Sequence, residues 1–161
     1  MAIELEVGTN TYVSAEDANA YFDTRLNSET WIAASEDDKA KALIMAARTM
    51  NEFRYVGRRV TSIQKLAFPR VDTNVVLSEG DLIIYAGLLT EIPDEVKYAQ
   101  CEQAIYLLDG EDQNRQLMQS GVTSYGAGGA SFSLLNDGYA ELAPKARHYL
   151  KPYLTRLGGI R

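Results

Sequence analysis

Residues 55–70 read YVGRRVTSIQKLAFPR, and residues 92–108 read IPDEVKYAQCEQAIYLL. The first stretch has no helical period. Gly57 can adopt a backbone conformation closed to other residues, and Pro69 biases Phe68 toward extended geometry. The second stretch is a helix with a marked start. Pro93 suits the first helical position, Asp94 and Glu95 put acid in the first turn, and Val96, Ala99, Ile105, Leu107 and Leu108 form a broad apolar face around Cys101 and Ala104. Gly110 stops it. Between the two, Glu79-Gly80 marks a turn before the apolar run LIIY at 82–85, which reads as a strand or small hairpin. Residues 55–92 are therefore an irregular excursion inserted between helices. A loop of that length in a compact domain implies a task such as an intersubunit contact.

Upstream, the pattern is helical. Ser14 followed by Asp17 is a capping signal, and Ala18, Tyr21, Phe22 and Leu26 recur at the helical interval, with Asp17, Asp23 and Arg25 on the wet side and an end near Asn27. Ser35 followed by Asp38 opens a second helix over about 36–54. Its stripe is Ala40, Leu43, Ile44, Ala47, Met50 and Phe53, and Glu36, Asp37 and Asp38 occupy its first turn. Trp31 lies between these helices, where its indole fills their corner. The fold expected is mainly α: three core helices in a small bundle, a short β-hairpin or irregular insertion, and an extended C-terminal arm.

The arm is expected because the character changes after residue 110. GVTSYGAGGASFSL at 121–134 carries four glycines, and a basic segment, APKARHYLKPYLTRLGGIR, closes the chain. Residues 139–157 suit a short helix interrupted at Pro152, with Leu150, Tyr153, Leu154 and Leu157 as one apolar patch. The organisation read from sequence is thus a helical core over 1–110 and an arm over 111–161.

Composition bounds the function. At 161 residues, 46% hydrophobic and 24% charged, the chain suits one folded domain. Its net charge of −6 opposes a phosphate polyanion unless its 16 Lys and Arg are segregated. One cysteine, Cys101, excludes an intramolecular disulfide and any Cys-rich zinc site. No stretch is apolar enough to span a membrane, and the start MAIELEVGTNTYVS lacks the features of a signal peptide, so a soluble protein made in the cytoplasm is expected.

No catalytic, metal or cofactor constellation emerges. The single histidine, His148, has no acidic neighbour closer than Glu141, and Cys101 reads as a small buried hydrophobe. GAGG at 126–129 lacks the Lys-Ser/Thr ending of a phosphate loop, and DGED at 109–112 lacks calcium-loop spacing. The dense basic cluster outside the tail is Arg58, Arg59, Lys65 and Arg70. Tyr55 and Phe68 interleave aromatics with it, the arrangement that single-strand binding uses. The plainer reading is a set of interface cations beside two core aromatics. Arg58, Arg59, Lys65 and Arg70, with Leu150, Tyr153, Leu154 and Leu157 of the arm, are the candidate partner-interface residues.

The chain resembles a family of tailed-phage neck proteins, the head-to-tail adaptors, many of which carry the label DnaT-like single-stranded-DNA-binding protein. The resemblance rests on Tyr12, Val13, Ser14, Asp17, Ala18 and Tyr21 as an opening like YVSxxDAxxY, and on Trp31. It continues through Tyr55, Gly57, Arg59, Gln64, Leu66, Phe68, Pro69, Arg70, Gly80, Ile92, Pro93, Val96, Ala99, Glu102 and Ala104. Phe68 stands where the family would have tryptophan, and Glu79-Gly80 where Asp-Gly is more typical. The resemblance implies a structural virion protein: a homo-oligomeric ring, commonly of twelve copies, in the neck between portal protein and the next neck or tail-completion protein. Genomic double-stranded DNA would pass through its acidic lumen without specific binding. The family label implies instead a single-stranded-DNA-binding replication protein.

Overall fold

A computed structural model of the chain describes residues 3–71, 91–110, 124–127, 130–133 and 142–155. Five helices lie among them: α1 (Ala15–Asp23), α2 (Glu29–Ala33), α3 (Glu36–Asn51), α4 (Asp94–Leu108) and α5 (Pro144–Leu150). Two antiparallel ribbons accompany them. β1 (Arg58–Arg59) pairs with β2 (Arg70–Val71), and β3 (Ser124–Ala127) pairs with β4 (Ala130–Ser133). The fold is mainly α, as the periodicity implies. The apolar run at 82–85 lies outside the described residues; within them the excursion carries a ribbon that joins 58–59 to 70–71.

The helix starts follow the sequence signals. Ser14 Oγ accepts from the Asp17 amide at 3.0 Å and donates to its carboxylate at 2.8 Å. Ser35 does the same with Asp38, at 3.2 and 2.7 Å, and the Asp38 carboxyl is held below its ordinary pKa by the Ser35 hydroxyl and then by Lys41. α1 ends at Asp23, a turn earlier than expected, because the chain leaves the helix at Thr24 and Asn27 takes a positive φ of 57°. Leu26 therefore misses the core and is 84% exposed.

Two apolar clusters sit back to back on α3 and α4. One holds Val13, Ala18, Phe22, Trp31, Leu43, Ala46, Cys101 and Ile105. Trp31 stacks on Phe22 with ring centroids 4.4 Å apart and donates from its indole N–H to Asn19, so it fills the α1–α3 corner as expected. The other holds Tyr12, Met50, Tyr55, Phe68, Val96, Leu142, Ala146 and Leu150. This second cluster corrects the expected arm. Residues 142–155 are packed into the core, with Leu142 4%, Ala146 0% and Leu150 0% exposed. The chain then returns along the excursion: the Val56 amide donates to the Tyr153 carbonyl at 2.8 Å and the Thr155 amide to the Arg54 carbonyl at 3.1 Å. Leu142 and, on α5, Ala146 and Leu150, spaced four residues apart, bury more surface in this cluster than an arm would.

α4 is buried on every side from Ala99 to Ile105. It carries three polar side chains there, and each binds a different part of the chain. Gln100 accepts from the Tyr12 amide and donates to Thr11 Oγ1 and the Leu43 carbonyl, all at 2.8 Å. Gln103 accepts from the Ala143 amide at 2.7 Å, at the start of α5. Glu102 takes the Arg25 guanidinium in a bidentate pair, 2.7 and 2.9 Å, and the Tyr21 hydroxyl at 2.7 Å. Arg25 thus lies against the core rather than on the wet side, and only 16% of its side chain is exposed. Burial alone would raise the Glu102 pKa. The bonds from Arg25 and Tyr21 outweigh it and hold the carboxyl below its ordinary 4.5.

Two outcomes follow from this row. Gln100→Leu leaves the Tyr12 amide and the Leu43 carbonyl without their side-chain partner, and should cost about 3 kcal/mol in a urea-unfolding series at constant slope. For Glu102, the folded pKa lies below the unfolded one. Its contribution is therefore complete above the ordinary 4.5 and is lost as pH falls through the lower folded value. Thermal melts between pH 6 and 3 should show a shallower acid-side loss in Glu102→Gln than in the parent.

Candidate functional site

The excursion is built from its own backbone needs. Gly57 takes φ 77°, which turns the chain into β1. Gln64 ties the loop closed, donating from Nε2 to the Leu66 and Pro69 carbonyls at 2.9 Å each. The peptide bond between Phe68 and Pro69 is cis. A triangle then pins the loop to the helices: the Tyr12 hydroxyl donates to Asn51 Oδ1 at 2.6 Å, and the Ala67 amide donates to the same oxygen at 2.8 Å and to the Tyr12 hydroxyl at 3.1 Å. Burial pushes the Tyr12 phenol up to about 12, against the lowering influence of those backbone contacts.

Within this loop the six residues of the basic-aromatic cluster part company. Tyr55 and Phe68 are core residues, 6% and 1% exposed. The Tyr55 hydroxyl donates to the Met50 carbonyl at 2.7 Å, and Phe68 makes edge contacts with Tyr12, Tyr55 and Tyr153 at centroid distances of 6.2, 4.8 and 5.4 Å. Neither ring offers a face to a base. Arg70 is spent internally as well. Its guanidinium donates to the carbonyls of Tyr55, Val56, Gly57 and Ala67, and partial burial, then the neighbouring Arg59 charge, lower its pKa. Arg58, Arg59 and Lys65 remain exposed. Beside them Ile63 is 89% exposed, a bare apolar side chain at the end of the loop.

The C-terminal half of the expected interface is corrected in the same way. Leu150 lies fully in the core and cannot meet a partner while α5 is packed. Tyr153 and Leu154 are partly buried against the Phe68 cluster, and Tyr55 bridges Leu154. Leu157 lies outside the described residues. Leu150, Tyr153 and Leu154, which read as part of a docking surface, belong to the core that seals the excursion.

Cys101 is 1% exposed, and burial pushes its thiol up to about 12, so it carries no thiolate at neutral pH. Among the described residues no three His, Cys, Asp or Glu side chains are grouped to hold a metal, and no helix is long and apolar enough to cross a membrane. A groove of about 430 Å³ runs between α1 and α4 past Tyr21, Tyr98 and Cys101. Several of its polar groups are paired within the protein: Asp17 with Ser14, Asp94 with Lys97, Tyr21 with Glu102.

The sequence profile of a protein family described as "Putative DnaT-like ssDNA binding protein" matches residues 4–158, nearly the whole chain, and the protein belongs to that family. No curated protein and no solved structure matches it. The family's description bears on single-stranded DNA and says nothing of a phage neck.

Exchanging Arg70 for Met removes the donor to four carbonyls, and should lower stability by about 2–3 kcal/mol. Arg58→Ala and Arg59→Ala should each stay within about 0.5 kcal/mol of the parent, as surface changes do. Chemical denaturation of the three variants would check the division between the internally bonded Arg70 and the exposed cations.

Proposed function

Taking membership of that family as the premise, we propose that the protein works by binding alone, and that its ligand is the phosphate backbone of single-stranded DNA. The observation that carries this reading is the separation within the excursion: Arg58, Arg59 and Lys65 are exposed while Tyr55 and Phe68 are sealed inside. Among the described residues of the loop the cations are exposed and the rings are not, an arrangement that attracts phosphate and leaves the bases unread. Binding of this kind is independent of sequence and strongly salt-dependent. It also lacks the stacking energy, about 1–3 kcal/mol per base, that aromatic platforms supply. With a net charge of −6 the affinity is modest.

A second reading keeps the same surface and changes the partner. In a head-to-tail adaptor ring the rim of the excursion contacts the neighbouring subunit or the next neck component, and the acidic balance lets genomic DNA pass. Exposed Ile63 beside the cations favours it, since a bare apolar side chain suits a protein partner better than a phosphate.

Arg58→Glu combined with Arg59→Glu separates the two. On the DNA reading, the parent retains a labelled oligo(dT) at about 50 mM salt, the double variant loses it, and both keep the same circular dichroism and sedimentation. A parent that ignores oligo(dT) at low salt but sediments as a closed ring, with a double variant that stays monomeric, would transfer the assignment to the adaptor.

A further inference from the structure

A second groove, about 280 Å³, opens on the far side of the excursion's anchor, where the N-terminal turn, α3 and the loop meet. Ile44, Ala47, Arg48 and Asn51 line it from one stripe of α3, Thr9 from the N-terminal turn, and Lys65 from the loop. Its volume falls just short of the roughly 300–1,000 Å³ of ordinary small-molecule sites, so it suits a group the size of a phosphate and part of its sugar.

Three donors meet there unengaged. Arg48 and Lys65, both exposed, make no hydrogen bond or ion pair among the described residues, although they stand on two different walls. Asn51 is the third. Its Oδ1 accepts from both the Tyr12 hydroxyl and the Ala67 amide, which fixes the orientation of the amide, and its Nδ2 is left without a partner among the described residues. A guanidinium, an ammonium and a held amide N–H around one small concavity form a donor set for an oxyanion and offer nothing to a cation.

We propose that this groove is a phosphate site, built by Arg48, Lys65 and Asn51, that takes the phosphoryl group of a nucleic-acid backbone or of a free phosphate. The backbone source rests on the DNA reading above; the site itself does not, because its donors are assembled by the anchor of the excursion. It would set one phosphate of a strand on the α3 side of the rim while Arg58 and Arg59 follow its neighbours. The C-terminal end of α3 lies at the same groove and its negative end offsets part of the cationic field, so a lone phosphate should bind only in about the millimolar range.

The test is a titration of the full chain with inorganic phosphate, with dTMP and with an oligo(dT) twelve-mer, read by the Asn51 side-chain amide in ¹H–¹⁵N spectra and by calorimetry. All three probes should shift the Asn51 amide in the parent. Arg48→Glu should weaken each by about tenfold or more, the loss of one charge-assisted bond, and reduce the salt slope of oligo(dT) binding by about 0.7. Shifts with phosphate and dTMP but none with oligo(dT) would support the site and assign it to a free phosphate, sinking the backbone source alone. An Asn51 amide unmoved by phosphate at tens of millimolar would overturn the proposal, as would an Arg48→Glu protein that binds phosphate like the parent. Should Arg48→Glu fail to fold, Arg48→Gln and the parent's own Asn51 shift carry the same decision.

Discussion

Three polar side chains on a buried helix hold this protein in register. α4 is enclosed on all sides from Ala99 to Ile105, so burial of apolar surface alone would favour many rotations of it about its axis almost equally. Gln100, Glu102 and Gln103 select one. Each takes a separate piece of the chain: the extended segment at Thr11–Tyr12, the corner after α1 through Arg25, and the start of α5 at Ala143. A formed hydrogen bond contributes only about 1 kcal/mol net, but an unmet buried partner costs more, and this asymmetry makes wrong registers expensive.

From that register the rest of the architecture follows. Tyr12, held by Gln100 through its amide, presents its hydroxyl to Asn51 and Ala67, and so carries the position of α4 out to the excursion. The excursion then acts as a plug. Phe68 enters a cage of three tyrosines, and the Arg70 guanidinium gathers the carbonyls of the opposite run of the loop, satisfying polar backbone that a packed loop would otherwise leave bare. α5 and the returning segment at 153–155 close over it. The consequence for function is that, among the described residues of the loop, Tyr55, Phe68 and Arg70 are spent on folding, while Arg58, Arg59 and Lys65, with Val56 and Ile63, face outward toward a partner.

The same division explains what the motif residues are for. Tyr12, Ser14, Ala18 and Tyr21 at the start serve as anchor, cap, core and partner of Glu102. In the middle, Gln64, Leu66, Phe68 and Arg70 close and fill the excursion. The residues on which the resemblance rests specify the fold, which is why they leave the choice between DNA and a neighbouring subunit open. Arg48, the central cation of the proposed phosphate site, carries no such signal. Within its helical stripe it reads as a solvated charge in a last turn, where the helix dipole welcomes it.

Local chemistry was enough to read the starts of α1, α3 and α4, though not the short α2 that carries Trp31. Caps at Ser14 and Ser35, acid in first turns, the apolar stripe of α3 and the Pro93 start are all decided within one or two turns of chain, so they are visible in the order of residues. The corner role of Trp31 and the inert burial of Cys101 are of the same kind. What escaped is everything that depends on a partner distant in sequence. Arg25 looks solvated until Glu102, 77 positions away, is placed beside it. Leu26 looks buried until α1 stops one turn short. Leu150 and Tyr153 look like a free patch on a tail until α3, α4 and Phe68 supply the other side of the core. A side chain's period along the chain states which face it shares, but whether that face meets water or protein is set by which segments pack against it, and that is a property of the assembled fold.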